Sequence, residues 1–317
     1  FEAIRFSKYK TVALNMKLLF FGNFLANEHF DIIHAHFGPN GLIGAYLKEC
    51  SVCSRLVVSF HGSDINSYPK RHGADVYKTL YSCADLITAN TNFTKDKIVA
   101  NGCSSEKIKI VPECLIAADY KEVKHDSVHK NSLLTVARLE EKKGYRYALE
   151  AAARIKKSIP DIIYYIAGDG SLRDELEELC DALGLRESVK FLGICDNAQV
   201  KHLYDICAVF TLPSVTASNG DMEGQGLVIQ EAQLCGLPVV TTRHNGIPDG
   251  LLENVSGFLV PEKDSAALAD KIILLLKDPD LCKQMGEAGK KYVEKKYDIQ
   301  TISSQLLEYY TEILSNS

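Results

Sequence analysis

The residues best placed to do chemistry lie in NGDMEGQGLVIQEAQLCGLPVV (219–240), where Glu223 and Glu231 bracket a glycine-rich entry to a helix. Glycine at 224 and 226 lets the backbone approach a ligand closely, and the free amides and positive dipole end of a helix start favour a diphosphate. A carboxylate accepts hydrogen bonds from paired hydroxyls, so one glutamate could hold a sugar beside that diphosphate and the other a ribose diol. Two solvated glutamates on a surface helix would be the plain alternative. Apolar Leu227, Val228, Ala232 and Leu234 around Glu231 argue against it.

Other candidates stand upstream. ARLEEKKG (137–144) carries Arg138 and Lys143, a planar fork and a point charge able to meet a dianion. GDGSLRDEL (168–176) has Gly168 and Gly170 in a tight turn. HAHFG (34–38) and FHGSD (60–64) end predicted parallel strands, the edge where α/β sheets collect ligands. His61 and Asp64 are the acceptor-side candidates there. His34 and His36 alternate along their strand, share one face, and read as core residues.

These residues need a scaffold, and the pattern supplies it. Runs at 31–37, 55–61, 85–90 and 107–112 read as parallel strands separated by helix-length segments, the alternation of a doubly wound sheet. A polar stretch at 113–130 follows, and the alternation restarts with SLLTVARL (132–139), IIYYIAGDG (162–170), SVKFLG (188–193), AVFTLP (208–213), LPVVTT (237–242) and GFLVP (257–261). Two α/β domains follow from this: 1–122, expected to be truncated at its start, and 131–299. The closing helix, 300–317, is expected to pack back on the first.

Composition narrows the class. At 317 residues and 46% hydrophobic the chain suits two globular domains, and no low-complexity tract points to disorder. Residues 1–130 hold 16 Lys and Arg against 13 Asp and Glu, too small an excess for nucleic acid. Ten unframed cysteines fit a reducing compartment, so the protein is expected to be cytoplasmic. No apolar run reaches a bilayer's span. Arg5, Lys8, Lys10 and Lys17 with LLFFGNFL (18–25) form a segment able to lie on the inner face of the cell membrane, although an ordinary core-facing helix is the preferred reading of it.

Taken in order, the Glu223–Glu231 spacing with CGLPVV, the R-x4-K element of Arg138 and Lys143, the G-x-G turn, GIPDGL (246–251) and SGFLVP (256–261) resemble the family-4 retaining glycosyltransferases, and the 214–233 stretch resembles their bacterial exopolysaccharide branch, of colanic-acid type. The resemblance implies a GT-B fold, two Rossmann-like domains facing each other across a cleft. It implies transfer of a hexose, with retention of configuration, from a nucleotide-diphosphate sugar of UDP or GDP type to a polysaccharide or polyprenyl-linked saccharide. Arg138 and Lys143 would neutralise the leaving diphosphate, Glu223 would hold the hexose, and Glu231 the ribose. Gly168, Gly170, Gly224, Gln225, Gly226, Leu227 and Val228 would complete the donor site, with His61 over the donor sugar and Asp64 orienting it or an acceptor hydroxyl. No cofactor or metal is implied; the D-x-D triplet at 278–280 stands apart from other ligands.

The pattern is broken in two places. The family's glycine-rich loop in the first βα turn has no counterpart, and ECLIAAD (113–119) replaces an asparagine–glycine pair. A GT-B epimerase, or a nucleotide-sugar-binding subunit without activity, are the competing expectations.

Overall fold

The computed structural model describes residues 9, 21, 24, 25, 27–123, 125 and 128–315. Arg5, Lys8, Lys10, Lys17 and most of the apolar stretch beside them lie outside this set. The chain divides into two compact units, one ending at Pro112 and taking in the chain again from Ile302, the other running Glu113–Thr301.

The first unit is built on a parallel sheet of β1 (Phe30–His36), β2 (Cys53–Phe60), β3 (Leu86–Ala89) and β4 (Ile108–Ile110), ordered as in the chain. Helix α1 (Gly38–Glu49) links β1 to β2, the short helices α2 (Ser63–Asn66), α3 (Tyr68–His72) and α4 (Lys78–Cys83) link β2 to β3, and α5 (Asn92–Ala100) precedes β4. Leu56, Val57, Val58 and Phe60 have no exposed surface, as expected of an inner strand covered on both faces.

The second unit holds β5 (His129–Val136), α6 (Tyr145–Ser158), β6 (Ile163–Ala167), α7 (Arg173–Ala182), β7 (Val189–Gly193), α8 (Asn197–Ile206), β8 (Cys207–Leu212), α9 (Leu227–Leu234), β9 (Val239–Thr242), β10 (Gly257–Val260), α10 (Ser265–Lys277) and α11 (Pro279–Tyr297). Its strands lie in the order β10-β9-β8-β5-β6-β7, all parallel. Strand order therefore reverses between β5 and β8. The loops leaving the carboxyl ends of two such neighbours diverge to opposite sides and leave a crevice, where this class of sheet takes its ligands.

The boundary falls at Pro112, ahead of the polar stretch at 113–130 that composition pointed to. Leu115 exchanges backbone hydrogen bonds with Tyr297 and Ile299 and packs with Leu234, Val293 and Tyr297, which ties this segment to the second unit. The last helix, α12 (Ile299–Ser315), begins in the second unit and from Ile302 belongs to the first. There Tyr310 meets His34 at 2.6 Å and Lys109 lies over the Tyr309 ring.

Candidate functional site

In the second unit the crevice is walled by two segments that grip one another. The chain leaving β5 turns through Glu141–Lys143, and each of these residues holds one point of the loop that leaves β8. Glu141 accepts from the Ser218 amide at 2.8 Å and its hydroxyl at 2.7 Å, Lys142 pairs with Asp221 at 3.0 Å, and Lys143 pairs with Glu223. Burial works to raise the Asp221 carboxyl, but the Lys142 ammonium and the Met222 amide outweigh it and hold it below the usual range. Lys143 and Glu223 are largely buried, at 12% and 14% side-chain exposure, so their charges meet with little screening by water. Arg138 points outward at 72% exposure and pairs with Glu140 at 2.7 Å.

The G-x-G turn backs this wall. Gly168 has φ +144°, and a β-carbon there would stand 1.9 Å from the Ala137 carbonyl oxygen. Leu139 in turn donates its amide to the Asp169 carbonyl at 3.0 Å. Gly168 and Gly170 thus set the position of the Arg138 segment by backbone packing.

Two residues that pattern reasoning missed hold the Glu223 peptide, His244 at its amide and Asn245, which donates from Nδ2 to its carbonyl at 3.2 Å. His244, at the exit of β9, is fully buried; its Nε2 accepts from the Glu223 amide at 3.1 Å and from Asn245 Nδ2 at 2.9 Å. The proton then sits on Nδ1, which donates to Glu262 Oε1 at 2.6 Å. Glu262, after β10, also accepts from the Thr216 amide at 3.0 Å; burial pushes its carboxyl up, but the His244 and Thr216 bonds prevail and hold it low. The signal available was position, since RHNG follows β9 at the ligand-collecting edge.

The glycine-rich loop differs from expectation in one respect. Gln225 is buried, and its side-chain amide clasps the Glu113 backbone, accepting from N–H at 2.8 Å and donating to C=O at 2.9 Å. Its side chain is a strut for the segment that opens this unit, and a donor contact is left to its backbone. Gly226 enters α9 at φ +72°, a left-handed conformation suited to glycine. No side chain caps the helix start, where the Leu227 and Val228 amides precede the first helical bond, Ile229 N–H to Gly226. One turn on, Glu231 accepts from the Tyr204 hydroxyl at 3.0 Å; burial raises its carboxyl, and the phenols of Tyr204 and Tyr120 offset part of that rise.

In the first unit the ends of β1 and β2 bring three histidines together. The His34 and His36 rings stack at 4.5 Å, and His36 Nδ1 meets His61 Nε2 at 3.0 Å. His34 also contacts Ser59 Oγ at 2.7 Å and Tyr310. Burial first, then the neighbouring imidazoles, lowers His34 to about 4, and the same causes lower His36. Against expectation, His36 is exposed beside His61 rather than packed in the core. Phe37 follows with φ +70°, a strained backbone for an aromatic residue, and its ring lies 4.6 Å from that of His61.

The buried carboxylate of Asp64 accepts from the backbone amides of Gly38 at 2.9 Å, His61 at 3.1 Å and Gly62 at 2.9 Å. It staples the exits of β1 and β2, and so places His61 through the main chain. Burial raises its pKa despite these bonds. Asp64→Asn puts an NH2 where acceptors are required. The expected cost is about 1–3 kcal/mol of stability in urea unfolding; unchanged stability would show that the carboxylate is not the staple.

Among the described residues no group of three or more His, Cys, Asp or Glu is placed to hold a metal ion, and no helix is long and apolar enough to cross a membrane.

Comparison with known proteins bears on this geometry. Residues 119–292 match the model for glycosyl transferases group 1, and residues 5–117 that for glycosyltransferase family 4. The putative colanic acid biosynthesis glycosyltransferase WcaL of Salmonella typhimurium is 33% identical over 87% of this chain and 69% of its own length. The amylovoran biosynthesis glycosyltransferase AmsK of Erwinia amylovora is 33% identical over 88% of this chain and 69% of its own. In fold, the chain resembles Anabaena HepE solved with UDP, with TM-score 0.79 at 22% identity over 93% of this chain and 82% of that one. A Rickettsia africae glycosyltransferase gives 0.76 at 20% identity over 98% and 83%. The two parallel-sheet domains are those of GT-B glycosyltransferases.

Proposed function

The chain belongs to the group 1 glycosyl transferases, and from that premise we propose that it moves a hexose from a UDP- or GDP-sugar to a polysaccharide or polyprenyl-linked saccharide, with retention of configuration and without a metal. What supports this most is the buried Lys143–Glu223 pair at the point where strand order reverses, beside the uncapped start of α9. A breaking glycosidic bond leaves negative charge on a nucleotide diphosphate, which fixed cations and helix amides stabilise without reorganising. Lys143 and Arg138 take that role, with the Leu227 and Val228 amides. Glu223 holds the hexose hydroxyls and Glu231 the ribose diol, and His61 stands on the acceptor side. The relatives are named as glycosyltransferases of colanic acid and amylovoran biosynthesis, which favours a saccharide acceptor over a small metabolite.

Free cysteines at all ten positions fit a reducing compartment, and we place the protein at the cytoplasmic face of the membrane, where its basic N-terminal segment would contact lipid. The test incubates the protein with UDP-, GDP- and ADP-hexoses, with and without a polyprenyl-linked saccharide, in EDTA. Acceptor-dependent nucleotide release, with a product whose anomeric proton matches the donor's by NMR, is expected. Sugar interconversion without acceptor would replace the reading by an epimerase, and binding without turnover by a carrier subunit.

A further inference from the structure

Glu223 lies in the irregular stretch between β8, which ends at Leu212, and α9, which begins at Leu227. Gly220, Gly224 and Gly226 loosen the backbone on both sides of it, so the stretch does not place Glu223 by itself. Its anchor comes from another loop. His244 Nε2 accepts the Glu223 amide, and Asn245 Nδ2 donates both to the Glu223 carbonyl and to the same imidazole nitrogen. Behind the ring, Glu262 joins His244 Nδ1 to the Thr216 amide, so the exits of β8, β9 and β10 are tied through one buried imidazole. With its amide and carbonyl both engaged, Glu223 has its carboxylate left to meet a ligand.

We propose that His244 is a positioning residue for sugar recognition: held in one tautomer by Glu262, it fixes the Glu223 peptide and lets the site tell one hexose from another. The inference rests on the assignment of Glu223 to the hexose. A neutral imidazole with its proton on Nδ1 offers a lone pair at Nε2, whereas a proton on Nε2 would set a third donor against the Glu223 amide and Asn245. Glu262 accepts at Nδ1 and so selects the first form. The diphosphate is met by other groups, Lys143 and the α9 amides. Loss of the anchor should therefore cost discrimination between sugars and spare the affinity for the nucleotide.

The test measures affinities by calorimetry for UDP, GDP and two epimer pairs, UDP-glucose with UDP-galactose and GDP-mannose with GDP-glucose. It compares the wild type with Glu223→Gln, His244→Leu, His244→Gln, Glu262→Leu and Glu262→Gln. One pair should differ by about 10-fold or more in the wild type, the worth of one hydrogen bond to a hydroxyl. His244→Leu and Glu262→Leu should each reduce that difference to about 2-fold and leave UDP and GDP within about 3-fold, because only the hydroxyl contact is misplaced. His244→Gln puts an amide oxygen near the place of Nε2 and Glu262→Gln keeps an acceptor for Nδ1, so both should recover part of the difference. Parallel loss of sugar-nucleotide and diphosphate affinity marks a role in stability alone and overturns the proposal. If Glu223→Gln abolishes the difference while both leucine variants keep it, the proposal fails and the Glu223 assignment stands. Equal affinities within both pairs in the wild type, or a difference that survives Glu223→Gln, remove the assignment and the inference with it. Near-UV circular dichroism checks folding, and Glu262, at 29% side-chain exposure, supplies the decisive variant where the fully buried His244→Leu does not fold.

Discussion

Replacing Lys143 by alanine is expected to lower the rate of sugar transfer by about 10²–10³-fold, the usual cost of deleting one preorganised group that meets charge developing in a transition state. Two effects combine. On the proposed reading the diphosphate would lose a largely buried cation, and Glu223 would be left as an unpaired, largely buried carboxylate that repels the leaving group. Lys143→Arg keeps the charge but offers a planar fork in place of a point charge, so partial recovery is expected. Single-turnover kinetics with the preferred donor measures the effect, and an unshifted thermal transition separates it from unfolding. Near-normal turnover in Lys143→Ala would remove this residue from the diphosphate site. Arg138, mostly exposed and paired with Glu140, is expected to show the smaller loss of the two.

The second large effect is structural. Gly168→Ala should destabilise the second unit by about 3–5 kcal/mol, the sum of a disfavoured backbone conformation and an overpacked contact. The added methyl would sit 1.9 Å from the Ala137 carbonyl oxygen, and backbone on both sides leaves no flexible side chain to move aside. Gly168 also donates its amide to Gly193 at 2.7 Å, which anchors the turn to the end of β7. Urea unfolding followed by far-UV circular dichroism reads this loss. A variant as stable as the wild type would mean that the two turns separate at little cost, and that the Arg138 segment is not positioned by the G-x-G turn.

Gln225 and His244 show where pattern reasoning stops. Both lie in or beside stretches that the sequence marks as functional, yet neither partner is near in the chain: Gln225 holds Glu113 and His244 holds Glu262 and the Glu223 peptide. Asp64 was marked for chemistry because FHGSD ends a predicted parallel strand, and its nearness to His61 is what lets it cap the His61 and Gly62 amides. A carboxylate buried on amides and one facing a ligand leave the same trace in a sequence.

The amino-acid order by itself determined the strands and helices and the two α/β units, and it marked the stretch 219–240 as the candidate donor site. Apolar runs of strand length, helical spacing between them and glycine-bounded turns are local properties, decided by residues a few positions apart. Family membership was legible for the same reason, since its motifs are short and ordered. Tertiary structure alone decided that β5 and β8 adjoin, which sets the crevice where strand order reverses. It also decided that Lys143 faces Glu223 across 80 residues and that Tyr204 bonds Glu231. Such partners are chosen by packing among elements distant in sequence, where hydrogen-bond geometry and burial together select one arrangement.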